Sequence, residues 1–224
     1  MKSTTTIENI DQFNSFFNQR SLHPMVAIGD LSYAKLSLFE PIDFGMYCII
    51  LMDEEFGILT KEGKRINYKA GTIFSLKPGQ VVSMNLDADA LPKGWMLAFR
   101  PELLIKTGLG RDFFMFNFFN LNEPEALKLN TEERKIILSC FSNIIRELHA
   151  PNDNISGHML RLCIGLLLSH CKRFYERQFE TTTNIYSDFQ QRFDSVIEDY
   201  LSSGLPEEKG HPTVAWCASQ FQWT

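Results

Sequence analysis

The hydrophobic period of this chain changes once, and that change limits what it can fold into. Residues 25–100 carry short β-prone runs at 25–28, 33–39, 46–52, 56–60, 65–68, 72–76, 81–86 and 95–99. Turn residues punctuate them at Pro41, Glu62-Gly63, Gly71, Pro78-Gly79 and Pro92-Lys93-Gly94. Short, evenly spaced strands with such punctuation predict an antiparallel sandwich or small barrel. From Thr131 onward the apolar residues recur at helical spacing instead.

Asn130 and Glu133 stand at capping-box spacing ahead of a stripe of Ile136, Ile137, Cys140, Phe141, Ile144, Ile145 and Leu148. A second stripe begins near Asn154 and runs through Ile155, Met159, Leu162, Cys163, Leu166, Leu167 and His170. A third carries Phe189, Phe193, Val196, Ile197, Tyr200 and Leu201, with Gly204 suited to the left-handed position past a helix end. Such stripes must be buried against the barrel, each other or a second copy. The expected class is α+β, in three parts: a barrel or sandwich over residues 1–130, a helical segment over 131–183, and a linker helix with a second, shorter helical start over 184–224. Should the helical segment pair with a second copy, Ile155, Met159, Leu162, Leu166 and Leu167 are the candidate dimer contacts.

Charge and cysteine usage narrow the function. The formal net charge is −5, and duplex affinity depends on neutralising phosphates. The residues present are therefore expected to bind DNA weakly or not at all. Arg161, Lys172, Arg173 and Arg177 read as a solvated helix face. No apolar stretch is long enough to span a bilayer, and the N-terminus lacks the apolar run of a signal peptide. These features predict a cytoplasmic protein with no membrane partner. Five cysteines without a CxxC pair, Cys48, Cys140, Cys163, Cys171 and Cys217, read as reduced thiols of the core.

Catalysis has little foothold. No GxSxG, Walker-type loop, GxGxxG or HExxH occurs. The histidines are His23, His149, His158, His170 and His211, so none lies between Pro24 and Leu148, where a metal-binding barrel would carry its imidazoles. Asp53, Glu54 and Glu55 read as a solvated turn. The chain is expected to be no enzyme and to hold no cofactor or metal.

Pro212 and Thr213 supply a helix start, followed by Val214, Ala215, Trp216 and Ala218, with small residues where a second helix would pack closely. Thr213-Val-Ala-Trp-Cys-Ala218 resembles the first helix of the DNA-binding helix-turn-helix in AraC-type transcriptional regulators, the family of the bacterial arabinose-operon activator. The resemblance extends upstream to Phe99-Arg-Pro-Glu-Leu-Leu104, Gly108-Leu-Gly110 and Phe113-Phe-Met-Phe-Asn-Phe-Phe119, which look like the segment closing the family's sensory barrel. Gly71-Thr-Ile-Phe-Ser-Leu-Lys-Pro-Gly79 likewise resembles a signature stretch of cupin barrels.

This resemblance implies a cupin-like sensory and dimerising domain followed by an incomplete helix-turn-helix. It implies a small-molecule effector, a homodimer, and promoter DNA as the partner of the full-length protein. Tyr33, Tyr47 and Trp95 are the candidate pocket residues, because each joins an apolar face to a polar handle. The alternatives are a cupin-like binding or enzymatic module that does not bind DNA, and a shortened paralogue acting by dimerisation. Phe113–Phe119, with five phenylalanines in seven residues, reads as core between barrel and helices.

Overall fold

The computed structural model describes residues 4–55, 57–87, 90, 92–119, 126–151, 153–202, 210–213 and 216–217. The chain divides into two compact units, Met1–Gln178 and Phe179–Thr224.

The first unit is built on ten strands: β1 (Thr5–Ile7), β2 (Val26–Asp30), β3 (Ile42–Phe44), β4 (Tyr47–Met52), β5 (Gly57–Lys61), β6 (Lys64–Ile66), β7 (Thr72–Leu76), β8 (Val81–Leu86), β9 (Gly94–Phe99) and β10 (Leu127–Lys128). They form two five-stranded sheets, ordered β1-β3-β8-β5-β6 and β10-β7-β4-β9-β2. Every pairing is antiparallel except β1 with β3, which run parallel with Thr5 opposite Ile42. Of the two expected architectures, barrel or sandwich, the described residues form the sandwich, with no closed barrel.

Alternation explains the first sheet. In β8, Val82 and Met84 are buried while their neighbours are partly exposed, as expected for a sheet with one solvated face. The second sheet is buried on both faces. Cys48, Ile50 and Met52 of β4 join Phe74, Leu76, Met96 and Ala98 in the core between the sheets. Ile49 and Leu51 point the other way and are equally buried. Gly94 opens β9 opposite Met52. Its φ is +146°, and a Cβ there would lie 2.0 Å from the Leu51 carbonyl oxygen, so this strand start excludes a side chain.

The run at 33–39, expected to be a strand, instead forms two 3-10 turns, Leu31–Tyr33 and Leu36–Phe39. Local polar chemistry overrides β propensity here. Asp30 caps the first turn through the Ser32 N–H at 2.9 Å, and the Lys35 N–H donates to the Phe16 carbonyl at 2.8 Å. Three short strands went unforeseen, β1, β3 and β10, as did the helix α1 (Ile10–Ser15), which Asn9 caps through the Gln12 N–H.

Besides α1 the first unit holds the short α2 (Gly108–Arg111), α3 (Thr131–His149) and the opening part of a fourth helix. The capping box at Asn130 and Glu133 forms as expected, both reciprocal bonds being 2.9 Å. α4 (Ser156–Ser202) has non-helical dihedrals at Phe179, where the two units divide. Side-chain bonds lock the helices to the sandwich. Arg134 reaches Asp53 at 2.9 Å in the turn after β4, and Arg177 holds the buried Glu133 at 2.7 Å. Gln178 clamps the β10 segment through the Lys128 N–H at 2.7 Å and the Ala126 carbonyl at 2.9 Å.

In the second unit, Tyr200 is buried. Its ring packs edge-on against Trp216 with centroids 4.5 Å apart, and its hydroxyl donates to the Gly210 carbonyl at 2.9 Å. Thr213 starts a helical turn there, its hydroxyl accepting from the Trp216 N–H at 3.2 Å and its carbonyl from the Cys217 N–H at 2.9 Å.

Candidate functional site

Among the described residues, two concavities and one exposed stripe are places where the first unit could act on another molecule. The space between the sheets is walled by Leu31, Phe44, Ile50, Phe74, Met84 and Met96 among others, almost all apolar, and its free volume is about 40 Å³. Sites for small organic molecules run to several hundred cubic ångströms. In this conformation the interior is a packed core.

The larger concavity lies outside the sandwich. It holds about 380 Å³ and is lined by residues of the 14–33 segment, by Trp95 of β9, and by Ile145, Leu148 and His149 at the end of α3. Val26 and Ile28 are buried residues of this lining. Polar groups include Asn14, Gln19, Arg20 and Asp30. Asn14 is buried, donates to the Ser21 hydroxyl at 2.9 Å and accepts from Gln19 at 2.7 Å, and Gln19 in turn donates to the Ile28 carbonyl at 2.9 Å. These bonds hold the segment after α1 against β2. The His149 Nδ1 lies 2.8 Å from the Ile145 carbonyl.

The three pocket candidates separate. Tyr33 and Trp95 both line the outer groove, Tyr33 being 74% exposed and Trp95 partly buried. Tyr47 lines neither concavity. It sits on the outer face of β4 among Phe99, Phe113 and Phe119, with ring centroids 5.4, 4.7 and 5.0 Å away. Burial pushes its phenol above the ordinary tyrosine range. Tyr47 is thus part of an aromatic layer, and its place on the outer face comes from the β4 register, in which Cys48, Ile50 and Met52 take the inner one.

Phe116, Phe118 and Phe119 are buried in that layer as expected, and the Phe118 carbonyl accepts from the Ser75 hydroxyl at 3.0 Å. Phe114 and Met115 depart from the expectation of core, being 60% and 45% exposed. They fall on a 3-10 turn, Phe113–Met115, which rotates them away from the sheet.

The helix α4 presents Met159, Leu162 and Leu166 to solvent, Ile155 in the turn just before it is exposed as well, and Leu167 is fully buried. The proposed dimer contacts therefore divide four to one: Leu167 is a core residue, packed inward with the buried Leu160, Ile164, Leu168 and Cys171. The expected basic face is partly neutralised, since Lys172 pairs with Glu176 and Arg177 with Glu133. Of the helix-turn-helix candidates, Thr213 is exposed and Trp216 partly buried, while Val214, Ala215 and Ala218 lie outside the described residues.

All five cysteines are free, with Cys48, Cys140 and Cys171 buried. Burial pushes the Cys48 and Cys171 thiols well up, and Cys140 and Cys163 move the same way. Among the described residues no three histidines, cysteines or carboxylates gather as a metal would need. No described helix is long and apolar enough to cross a membrane.

No family model matches the chain, and no curated protein matches it. Among solved structures, apo ToxT K231A from Vibrio cholerae strain SCE256 is similar at 13% identity and a TM-score of 0.41, over 69% of this chain and 56% of that one. The chain thus spans little more than half the length of that protein, and at this level of likeness the function has to be argued from the site.

Proposed function

We propose that this chain is the effector-sensing and dimerising part of a DNA-binding transcriptional regulator of the AraC type. The observation that carries the reading is the stripe of Met159, Leu162 and Leu166 on one side of α4, continued by Ile155 in the turn before it, which stays between 39% and 55% exposed. Contiguous apolar surface of this kind on a soluble protein marks a contact site. A second copy is the occupant, because one helical stripe can meet its own image across a two-fold axis.

The order of parts supports the same reading: a two-sheet sandwich, helices packed on its outer face, and then a helical turn begun by Thr213. In this scheme promoter contacts belong to the helix-turn-helix, the sandwich senses, and the α4 stripe pairs. The chain acts in the cytoplasm as a homodimer, where its thiols stay reduced. It performs no chemistry and needs no cofactor.

Light scattering on the purified chain tests the pairing. A dimer is expected, and Met159→Glu combined with Leu166→Glu should return a folded monomer. A chain that stays monomeric at high concentration would remove the pairing. Chromatin occupancy of the tagged gene product in its own host tests the regulator: discrete promoter peaks are expected, and their absence under all growth conditions would remove it.

A further inference from the structure

The outer groove carries one cation and one anion that do not pair with each other. Arg20 makes no hydrogen bond or ion pair with any described residue. Asp30 uses one carboxylate oxygen, Oδ1, to accept from the Ser32 N–H at 2.9 Å and the Ser32 hydroxyl at 2.6 Å. That grip holds the carboxylate of a groove-lining residue by Oδ1, while Oδ2 makes no hydrogen bond with any described residue. Alongside these charges stand the Trp95 indole, the Tyr33 ring and the apolar Val26, Ile28 and Leu148.

Opposite charges that folding leaves apart, in one groove with an apolar and aromatic surface, select against most ligand classes. A simple anion meets Asp30 and a simple cation meets Arg20. An uncharged apolar molecule would cover both charges without answering either, which is costly. A molecule carrying both signs and an apolar group satisfies all three features.

We propose that this groove binds a zwitterionic amino acid with an apolar or aromatic side chain. The ligand's carboxylate lies on the Arg20 guanidinium, a two-pronged donor matched to it. Its ammonium donates to Asp30 Oδ2, and its side chain covers Val26 and Ile28 against Trp95. The volume of about 380 Å³ accommodates an amino acid of any size. The assignment stands on the groove alone, so its failure leaves the pairing and promoter experiments untouched, and theirs leaves it standing.

The test is a titration of the nitrogen-15-labelled full chain with L-phenylalanine, followed at the Trp95 indole N–H, which the loss of that signal in Trp95→Phe assigns. A saturating shift is expected. Phenethylamine and phenylpropanoate, each lacking one charge, should bind about tenfold more weakly, the loss of one charged hydrogen bond. Arg20→Ala should weaken phenylalanine about tenfold and leave phenethylamine unchanged. Asp30→Asn, which keeps an oxygen for the Ser32 N–H, should weaken phenylalanine and leave phenylpropanoate unchanged. Met84→Ala, in the wall between the sheets, should alter nothing. No Trp95 shift at millimolar phenylalanine, equal binding of all three ligands, indifference to both charge variants, or loss of binding in Met84→Ala would each overturn the proposal.

Discussion

Leu166 and Leu167 are neighbours on α4 with opposite environments, and truncating each in turn measures whether the helix is placed correctly. Leu167 is 0% exposed and Leu166 is 49% exposed. Leu→Ala removes three carbons, and at about 0.8 kcal/mol per buried carbon the transfer loss at Leu167 is about 2.4 kcal/mol. The cavity left behind adds to this, so a total of about 3 kcal/mol is expected, within the observed span of about 2–5.

At Leu166 half of the side chain is already in water, so the transfer loss halves to about 1.2 kcal/mol. Alanine's better helix propensity returns a few tenths, leaving about 1 kcal/mol or less. For a domain of this size each kcal/mol moves the melting temperature by about 2–4 °C. Leu167→Ala should therefore melt about 6–12 °C below the parent and Leu166→Ala no more than about 4 °C below it. Thermal unfolding followed by circular dichroism in dilute protein, where self-association contributes least, reads both. Equal shifts, or a larger shift for Leu166→Ala, would refute the orientation of α4 and with it the exposed stripe.

Four other outcomes are expected from the same structure. Gly94→Ala should cost at least about 3 kcal/mol, because its Cβ meets the Leu51 carbonyl oxygen. Gly63→Ala, at φ +75° with nothing within 4 Å, should cost about 1–2 kcal/mol in a urea titration. Burial, reinforced by Arg161 and Arg173 respectively, holds the His23 and His170 imidazoles below their ordinary value of 6.5. The unfolded chain then binds more protons than the folded one near that pH, so stability is full above 6.5 and falls as pH drops through the lowered folded values. Asparagine at both positions should flatten that slope, and an unchanged slope would count against the burial. Finally, iodoacetamide on the native protein at mildly alkaline pH should modify the partly exposed Cys163 ahead of Cys48 and Cys171, whose thiols are buried and raised. Peptide mass mapping decides the order, and early modification of Cys171 would contradict it.

The strands at Thr72–Leu76 and Val81–Leu86, and the start of α3 at Asn130, were readable because their causes are local. Alternation, a glycine or proline at the turn, and a capping pair three residues apart all act within one short window of chain. The strand expected at 33–39 failed for the same kind of reason in reverse, since an aspartate cap and a bond to the Phe16 carbonyl outweighed β propensity there. The parallel pairing of β1 with β3 had no local mark at all. It joins residues 5–7 to residues 42–44, and only the geometry of the finished sheet brings them together.

Facing is the property that sequence left open. β4 is apolar on both sides, so its pattern is silent on whether Tyr47 or Cys48 turns inward. The sandwich takes Cys48, and the aromatic layer takes Tyr47. Leu166 and Leu167 share a helical stripe, and the packing of α4 buries one and leaves the other in water. Tyr33 and Trp95 could be named as amphipathic residues, yet their groove is assembled from the segment after α1, two strands and the end of α3. Sequence by itself determined the periods, the turns and the helix start, because those are short-range energies. Tertiary structure decided which face is covered, because burial depends on the layer that arrives from elsewhere in the chain.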